Sequence, residues 1–342
     1  MSGRARYHIT HETDYQYAGN VVHSQHLLHL VPRPAPYQQC LEHALDISPA
    51  PTHRRDEIDA FGNPVTRVEF QSRHRRLTVT TDMLVEVYPR PAVPADETHP
   101  WERVASNLAY HGHWPARANL DICRFRHESA YVRVKRAFTD FGAECFAPGR
   151  AILSCASDLM HTLHRELKYA PGKTNISTPL MEVLEKRHGV CQDFAHLMIA
   201  CLRSRGLAAR YVSGYIRMYP APEPAAVAGK TPAAVAAAVA APIPVPAPES
   251  TAEPTTAPGG EPARDPPLIG GGASHAWVAV YSPPFGWIEL DPTNDCWVGT
   301  EHVAVAWGRD FGDVSPLRGI ILGGGSHELS VNVTVEPISA TA

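Results

Sequence analysis

Near residue 280 two alternating segments are separated by a few turn-forming residues, and they leave the chain few ways to fold there. His275-Ala276-Trp277-Val278-Ala279-Val280-Tyr281 places His275, Trp277, Ala279 and Tyr281 on one face of a strand. Trp287-Ile288-Glu289-Leu290-Asp291 places Trp287, Glu289 and Asp291 on one face of the next. Ser282-Pro283-Pro284-Phe285-Gly286 between them is turn chemistry. The pair reads as an antiparallel hairpin. With residues 282–284 as its loop, Tyr281 faces Phe285 and His275 faces Asp291, their Cβ atoms about 5 Å apart. A slip of one residue would separate them onto opposite faces. A slip of two would leave them diagonal and still within reach.

A cysteine lies where such a pair could use it. Thr178 and Pro179 predict a helix start, Thr178 as cap and Pro179 as first helical residue. That helix carries Leu180-Met181-Glu182-Val183-Leu184-Glu185 and is expected to stop near Gly189. A second helix is expected from about Cys191, with Phe194, Leu197, Met198, Cys201 and Leu202 as its apolar stripe. Arg203 and Arg205 suit its last turn and Gly206 its end. Cys191 then sits in the first turn, where unpaired N–H groups and the positive dipole end stabilise a thiolate. A cysteine can equally be a small buried hydrophobe, as Cys201 on the apolar stripe illustrates. Taken together, Cys191, His275 and Asp291 make a nucleophile, a general base and an orienting carboxylate.

These segments carry a resemblance. Gly189-Val190-Cys191-Gln192-Asp193-Phe194-Ala195-His196, Arg210-Tyr211-Val212-Ser213-Gly214-Tyr215, Ser274-His275-Ala276-Trp277 and Asp291-Pro292-Thr293-Asn294 resemble the transglutaminase-like superfamily of papain-type folds. Tyr7-His8-Ile9-Thr10-His11-Glu12-Thr13, Asp59-Ala60-Phe61-Gly62-Asn63 and Gly308-Arg309-Asp310-Phe311-Gly312-Asp313-Val314 resemble its bacterial branch with an N-terminal β domain. The resemblance implies an α+β fold, a helix-borne cysteine packed on an antiparallel sheet carrying His and Asp. It implies Cys191 as nucleophile, His275 as general base and acid, and Asp291 as orienting carboxylate. It also suggests Tyr169 as a donor to an oxyanion, beside the backbone N–H of Cys191. The glutamine that papain-like proteases place six residues before the nucleophile is replaced here by Glu185.

The chain divides by composition. Residues 1–92 read as an antiparallel β domain, with strands at 7–17, 21–30 and 77–88 and a tight turn at Phe61-Gly62-Asn63-Pro64. Residues 93–150 form a helical bridge, with helices expected at 131–141 and, beyond it, at 152–167. Residues 151–219 and 273–342 make the catalytic core, with a strand at 207–218. Residues 220–272 form an Ala/Pro-rich insertion without an aromatic residue or a cysteine, read as disordered. A tolerated insertion and a lid or docking segment are both open for it.

Composition bounds the partners. With 342 residues and 44% hydrophobic content there is material for more than one domain and a sizeable core. A net charge of −4 gives no basic footprint for nucleic acid. No segment is long and apolar enough to span a membrane. Met1-Ser2-Gly3-Arg4-Ala5-Arg6 leads directly into a strand pattern, so a cytoplasmic location is expected. Seven cysteines without metal spacing argue against a disulfide framework, and His111-Gly112-His113 lacks further ligands, so no metal or cofactor is expected.

The expected chemistry is acyl transfer from a peptide or protein amide through a thioester on Cys191, with hydrolysis favoured over transfer to an amine. Trp277 and Trp287, on the His275 face, are the candidates for an acceptor tunnel. A true protein transglutaminase and a non-enzymatic peptide-binding module with an unused triad are the alternatives. Oligomeric state is not readable from the sequence.

Overall fold

The computed structural model describes residues 3–109, 117–217, 268–269 and 272–338. The His111-Gly112-His113 triplet and nearly all of segment 220–272 lie outside them. Among the described residues no helix is long and apolar enough to cross a membrane.

The N-terminal part is an antiparallel sheet. It contains β1 (Ala5–Leu28), β2 (Gln38–Ser48), β3 (His53–Ile58), β4 (Pro64–Phe70) and β5 (His74–Val87), in the order β2-β5-β1-β4-β3. The strands expected at 7–17 and 21–30 are one strand, because the chain does not reverse at Ala18-Gly19. A register shift against β5 between Gln16 and Val21 absorbs the irregularity instead. Inward-facing Tyr7, Ile9, His11 and Thr13 alternate with outward residues, as one buried face requires.

Among the described residues four α-helices follow: α1 (Trp101–Asn107), α2 (Arg117–Cys123), α3 (Arg136–Phe141) and α4 (Ile152–Glu166). The helix expected from 131 begins only at Arg136. Residues 131–135 are held out of it by tertiary hydrogen bonds. The Tyr131 N–H donates to Asp310 at 2.8 Å and the Val134 N–H to Glu128 at 2.7 Å, and Val132 is buried.

The remainder builds a second sheet around one central helix. Its elements are β6 (Lys168–Tyr169), α5 (Leu180–Lys186), β7 (His188–Gly189), α6 (Cys191–Arg203), β8 (Ala209–Ile216), β9 (His275–Tyr281), β10 (Trp287–Asp291), β11 (Cys296–Trp297), β12 (His302–Gly308) and α7 (Phe311–Val314). The sheet order is β11-β10-β9-β8-β12. The apolar stripe of α6 is buried as its spacing predicts, and so is every residue from Asp193 to Arg203. The final strands, β13 (Leu317–Gly323) and β14 (His327–Pro337), return to pair with β1. The stretch 273–342 is therefore shared between the two sheets, not confined to the core.

Two local expectations are revised. The cap of α5 is Pro179, and its C-terminal left-handed residue is Arg187 (φ 55°), not Gly189. The Thr178 hydroxyl instead accepts from the Asn175 N–H at 3.0 Å. Gly189 is needed for space: a Cβ there would lie 2.6 Å from the Asp193 Cβ.

The β9–β10 hairpin has a five-residue loop, with the Ser282 N–H donating to the Gly286 carbonyl at 2.6 Å and Gly286 at φ +85°. Tyr281 pairs with Trp287, so the register is displaced by two residues from the one a three-residue loop would set. Continued along the strands, it puts Asp291 opposite Trp277 and diagonal to His275.

Gly214 pairs with His275 on the neighbouring strand. A Cβ there would lie 2.1 Å from the Val303 carbonyl oxygen and 2.5 Å from the Trp277 ring. Gly214→Ala should therefore cost about 3 kcal/mol in urea unfolding, the upper range for overpacking. A loss under about 1 kcal/mol would mean that Trp277 is loosely packed.

Candidate active site

Cys191 is the first residue of α6, preceded by Val190 in extended conformation. Asp193, three residues into the turn, accepts the Val190 N–H at 2.8 Å, and the same oxygen accepts the Thr174 hydroxyl at 2.6 Å. The helix start is thus tied both to its own entry strand and to the loop after Tyr169. The N–H groups of Asp193 and Phe194 reach the Val190 carbonyl. Those of Cys191 and Gln192 precede any intrahelical acceptor and remain for another partner. Tyr169 stands beside this point: it pairs with Gly189 across β6 and β7. Burial raises its phenol pKa, and the neighbouring Cys191 side chain raises it further.

His275 and Asp291 meet in the interior. His275 Nε2 lies 2.8 Å from Asp291 Oδ2, and both side chains are fully shielded from solvent. Cys191 is the one member of the three that retains exposed surface. Burial by itself would lower the His275 pKa, but the Asp291 charge and hydrogen bond, with Cys191, raise it to about 10. Burial likewise disfavours ionised Asp291, yet His275 and His302 hold its carboxyl well below the usual carboxylate range. The Nδ1 atom of His275 has no hydrogen-bond partner among the described residues, while Cys191 interacts with the ring. One ring nitrogen therefore serves the carboxylate, and the other has no partner among the described residues.

Asp291 has further partners that its sequence context did not advertise. Its Oδ1 accepts the Thr293 N–H at 2.9 Å and the Asn294 N–H at 3.3 Å. Its Oδ2 accepts the Asn294 amide at 2.7 Å, and His302 Nε2 lies 3.3 Å away. Helix α4 clamps the same turn: His164 Nδ1 reaches the Thr293 carbonyl at 3.0 Å and His161 reaches Asp295 at 2.5 Å. His302 could not be singled out among 19 histidines, because its role depends on β12 starting beside β8 and not on any neighbouring motif.

Trp277 does not present a donor to the site. It is fully buried, its Nε1–H donates to Glu289 at 2.7 Å, and its ring lies edge-on to His302 at 5.3 Å. It forms a floor beneath His275. Glu289 is also engaged by Arg90 at 3.0 Å, so neither it nor Asp295 is a spare carboxylate for His275.

The sequence matches the model of the bacterial transglutaminase-like N-terminal region over residues 7–86 and that of the transglutaminase-like superfamily over residues 140–292. It is 34% identical over 350 aligned positions to the uncharacterized protein Rv2569c of Mycobacterium tuberculosis, covering 100% of this chain and 96% of that one. The chain belongs to the transglutaminase-like superfamily. A second similar protein is the uncharacterized ML0607 of Mycobacterium leprae, 29% identical, with 96% of this chain and 98% of that one covered. Among solved structures, a Cytophaga hutchinsonii chain described as a "putative cysteine protease" superposes with TM-score 0.65 at 18% identity, over 100% of this chain and 92% of that one. That likeness establishes a papain-like fold.

The remaining segments of the transglutaminase-like resemblance hold the scaffold. Asp59 organises its turn through the N–H groups of Phe61 and Asn63, both at 2.8 Å. Asn63 then exchanges hydrogen bonds with the Trp307 backbone at 2.9 and 3.0 Å, and Gln38 does the same with Ala304 at 2.6 and 2.8 Å. Side chains of the N-terminal sheet thereby satisfy the free edge of β12. His11, from the first N-terminal segment, meets the Tyr215 hydroxyl at 2.8 Å. The tail segment grips α6: the Phe311 N–H donates to His196 Nε2 at 3.1 Å, and Arg203 donates to the Arg309 carbonyl at 2.6 Å. Burial lowers the His196 pKa to about 3, which keeps it a neutral acceptor.

Linkage sets the pH dependence of the pair. The raised His275 pKa contributes stability that is complete below 6.5 and is lost as pH rises toward about 10. The depressed Asp291 pKa contributes stability present above 3.8 and lost in acid. Asp291→Asn removes the charge and leaves the burial. The His275 imidazole, followed by NMR, should then lose its proton below about pH 7 instead of near 10. A native His275 found neutral at pH 7 would contradict this electrostatic picture.

Proposed function

We propose that this protein is a thiol-dependent hydrolase of peptide or protein amides. The observation that carries the reading is the buried His275–Asp291 pair at 2.8 Å beside a cysteine at the first position of a helix. Burying an ion pair yields little net stability, so its placement next to a thiol points to chemistry.

In this reading the Cys191 thiolate attacks the amide carbonyl carbon. The developing oxyanion is met by the Cys191 N–H and the Tyr169 hydroxyl. His275, held as imidazolium by Asp291, gives its Nδ1 proton to the departing amine, and the C–N bond breaks to leave a thioester. His275, now neutral, takes a proton from water as the water oxygen attacks the thioester. The acid leaves and the thiolate is regenerated.

Hydrolysis is favoured over transfer because Trp277, one expected wall of an acceptor tunnel, is sealed beneath His275. Trp287, the other, has the Arg210 guanidinium 3.7 Å from its ring centre. We assign the enzyme to a reducing compartment, the cytoplasm, which accords with all seven cysteines being unpaired.

The test is a time course on a glutamine-containing peptide with a millimolar primary amine present. Free acid should exceed amine adduct. Cys191→Ala should lower turnover by about a thousandfold or more while leaving the thermal midpoint unchanged. Predominant adduct would make the protein a transglutaminase in activity. Peptide binding without any Cys191-dependent product would make it a recognition module.

A further inference from the structure

Cys296 has no part in this chemistry, yet it is placed against it. The turn after Asp291 brings β11 back antiparallel, and Cys296 pairs directly with Asp291. His302 opens β12 on the other side. One ligand atom from each of Asp291, Cys296 and His302 lies within 4.8 Å of the other two. We propose that these residues form a zinc site whose occupation competes with His275 for Asp291.

The donor set is one sulfur, one imidazole nitrogen and one carboxylate oxygen. That combination suits a four-coordinate Zn²⁺ with three protein ligands and an open position. His302 is underused without a metal. Its side chain is 2% exposed, its Nδ1 has no partner among the described residues, and its Nε2 reaches Asp291 only at 3.3 Å. Cys296 is half-buried, so an ion can approach it from solvent.

Asp291 Oδ2 already serves His275 Nε2 at 2.8 Å, Asn294 Nδ2 at 2.7 Å and His302 Nε2 at 3.3 Å. A carboxylate oxygen offers two lone pairs, so a metal bond there must weaken one of the stronger contacts. Zinc forms bonds to sulfur, nitrogen and oxygen, and water fills its fourth position. The Cys296 thiol proton leaves to solvent. His302 stays neutral and lends one ring lone pair, and His275 loses the carboxylate that holds its proton. Binding rests on this geometry alone, whereas the inhibition it causes rests on the role proposed for Asp291.

The probe is Zn²⁺ itself, titrated against a chromophoric chelator using full-length protein. A Cys191→Ala background removes the other thiol near His275. This protein should bind one zinc per chain, and adding Cys296→Ser should weaken binding at least tenfold. Cobalt should give a thiolate charge-transfer band in Cys191→Ala that Cys296→Ser abolishes. In the hydrolysis assay, Cys296→Ser should match native turnover without zinc and need at least tenfold more zinc for half-inhibition. Zinc binding that requires Cys191 and ignores Cys296→Ser would overturn the site. Zinc bound through Cys296 with undiminished turnover would overturn the competition, and the binding assay reads out whether or not the protein hydrolyses amides.

Discussion

The Asp291 carboxylate is the group on which the transglutaminase-like half of this molecule depends. It has no solvent contact, and a bare buried carboxylate would cost several kcal/mol. Its donors come from three places: the turn that follows it, His275 on the adjacent strand, and His302 at the start of β12. Each donor constrains an element. The Thr293 and Asn294 N–H groups define the turn into β11, and α4 locks that turn from outside through His164. His275 is fixed by the same carboxylate from one side and by the Trp277 ring beneath it, which in turn requires a glycine at 214. The ring then faces the start of α6 with its second nitrogen.

The N-terminal sheet is less an appendage than a support for the core. Its polar side chains Gln38 and Asn63 pair with the β12 backbone, and Arg33 lies 3.0 Å from the centre of the Trp307 ring. Strand β12 carries His302 at its opposite end, so the edge that the sheet protects also positions a partner of Asp291. The tail closes the arrangement, because α7 holds α6 through His196 and Arg203 before the chain returns to β1.

What the sequence made legible follows from interaction range. The bounds of β9 and β10 were readable because alternation and turn residues are local, and so was the start of α6 at Cys191. The hairpin register was not, because a loop of three and a loop of five use the same residues and differ only in which backbone groups pair, here the Ser282 N–H with the Gly286 carbonyl. Trp277 shared a face with His275, yet alternation says nothing about which side chains stay open; Gly214 and Glu289, far apart in sequence, decide that. His302 and the return of β13 and β14 are long-range pairings with no local signal. Gly189 suits a helix terminator by residue type alone, but its neighbour Asp193 is what excludes a side chain there.

The proposed reaction has one covalent intermediate, a thioester of the amide substrate on the cysteine at the start of α6. The direct measurement is to incubate the native protein with a peptide amide, quench it with acid at a series of times, digest it and locate the added mass. An acyl group on the Cys191 peptide, released by hydroxylamine and increased in Asp291→Asn, is the expected result. An acyl group on any other residue, or Cys191 unmodified at every quench time while amide is consumed, would contradict it.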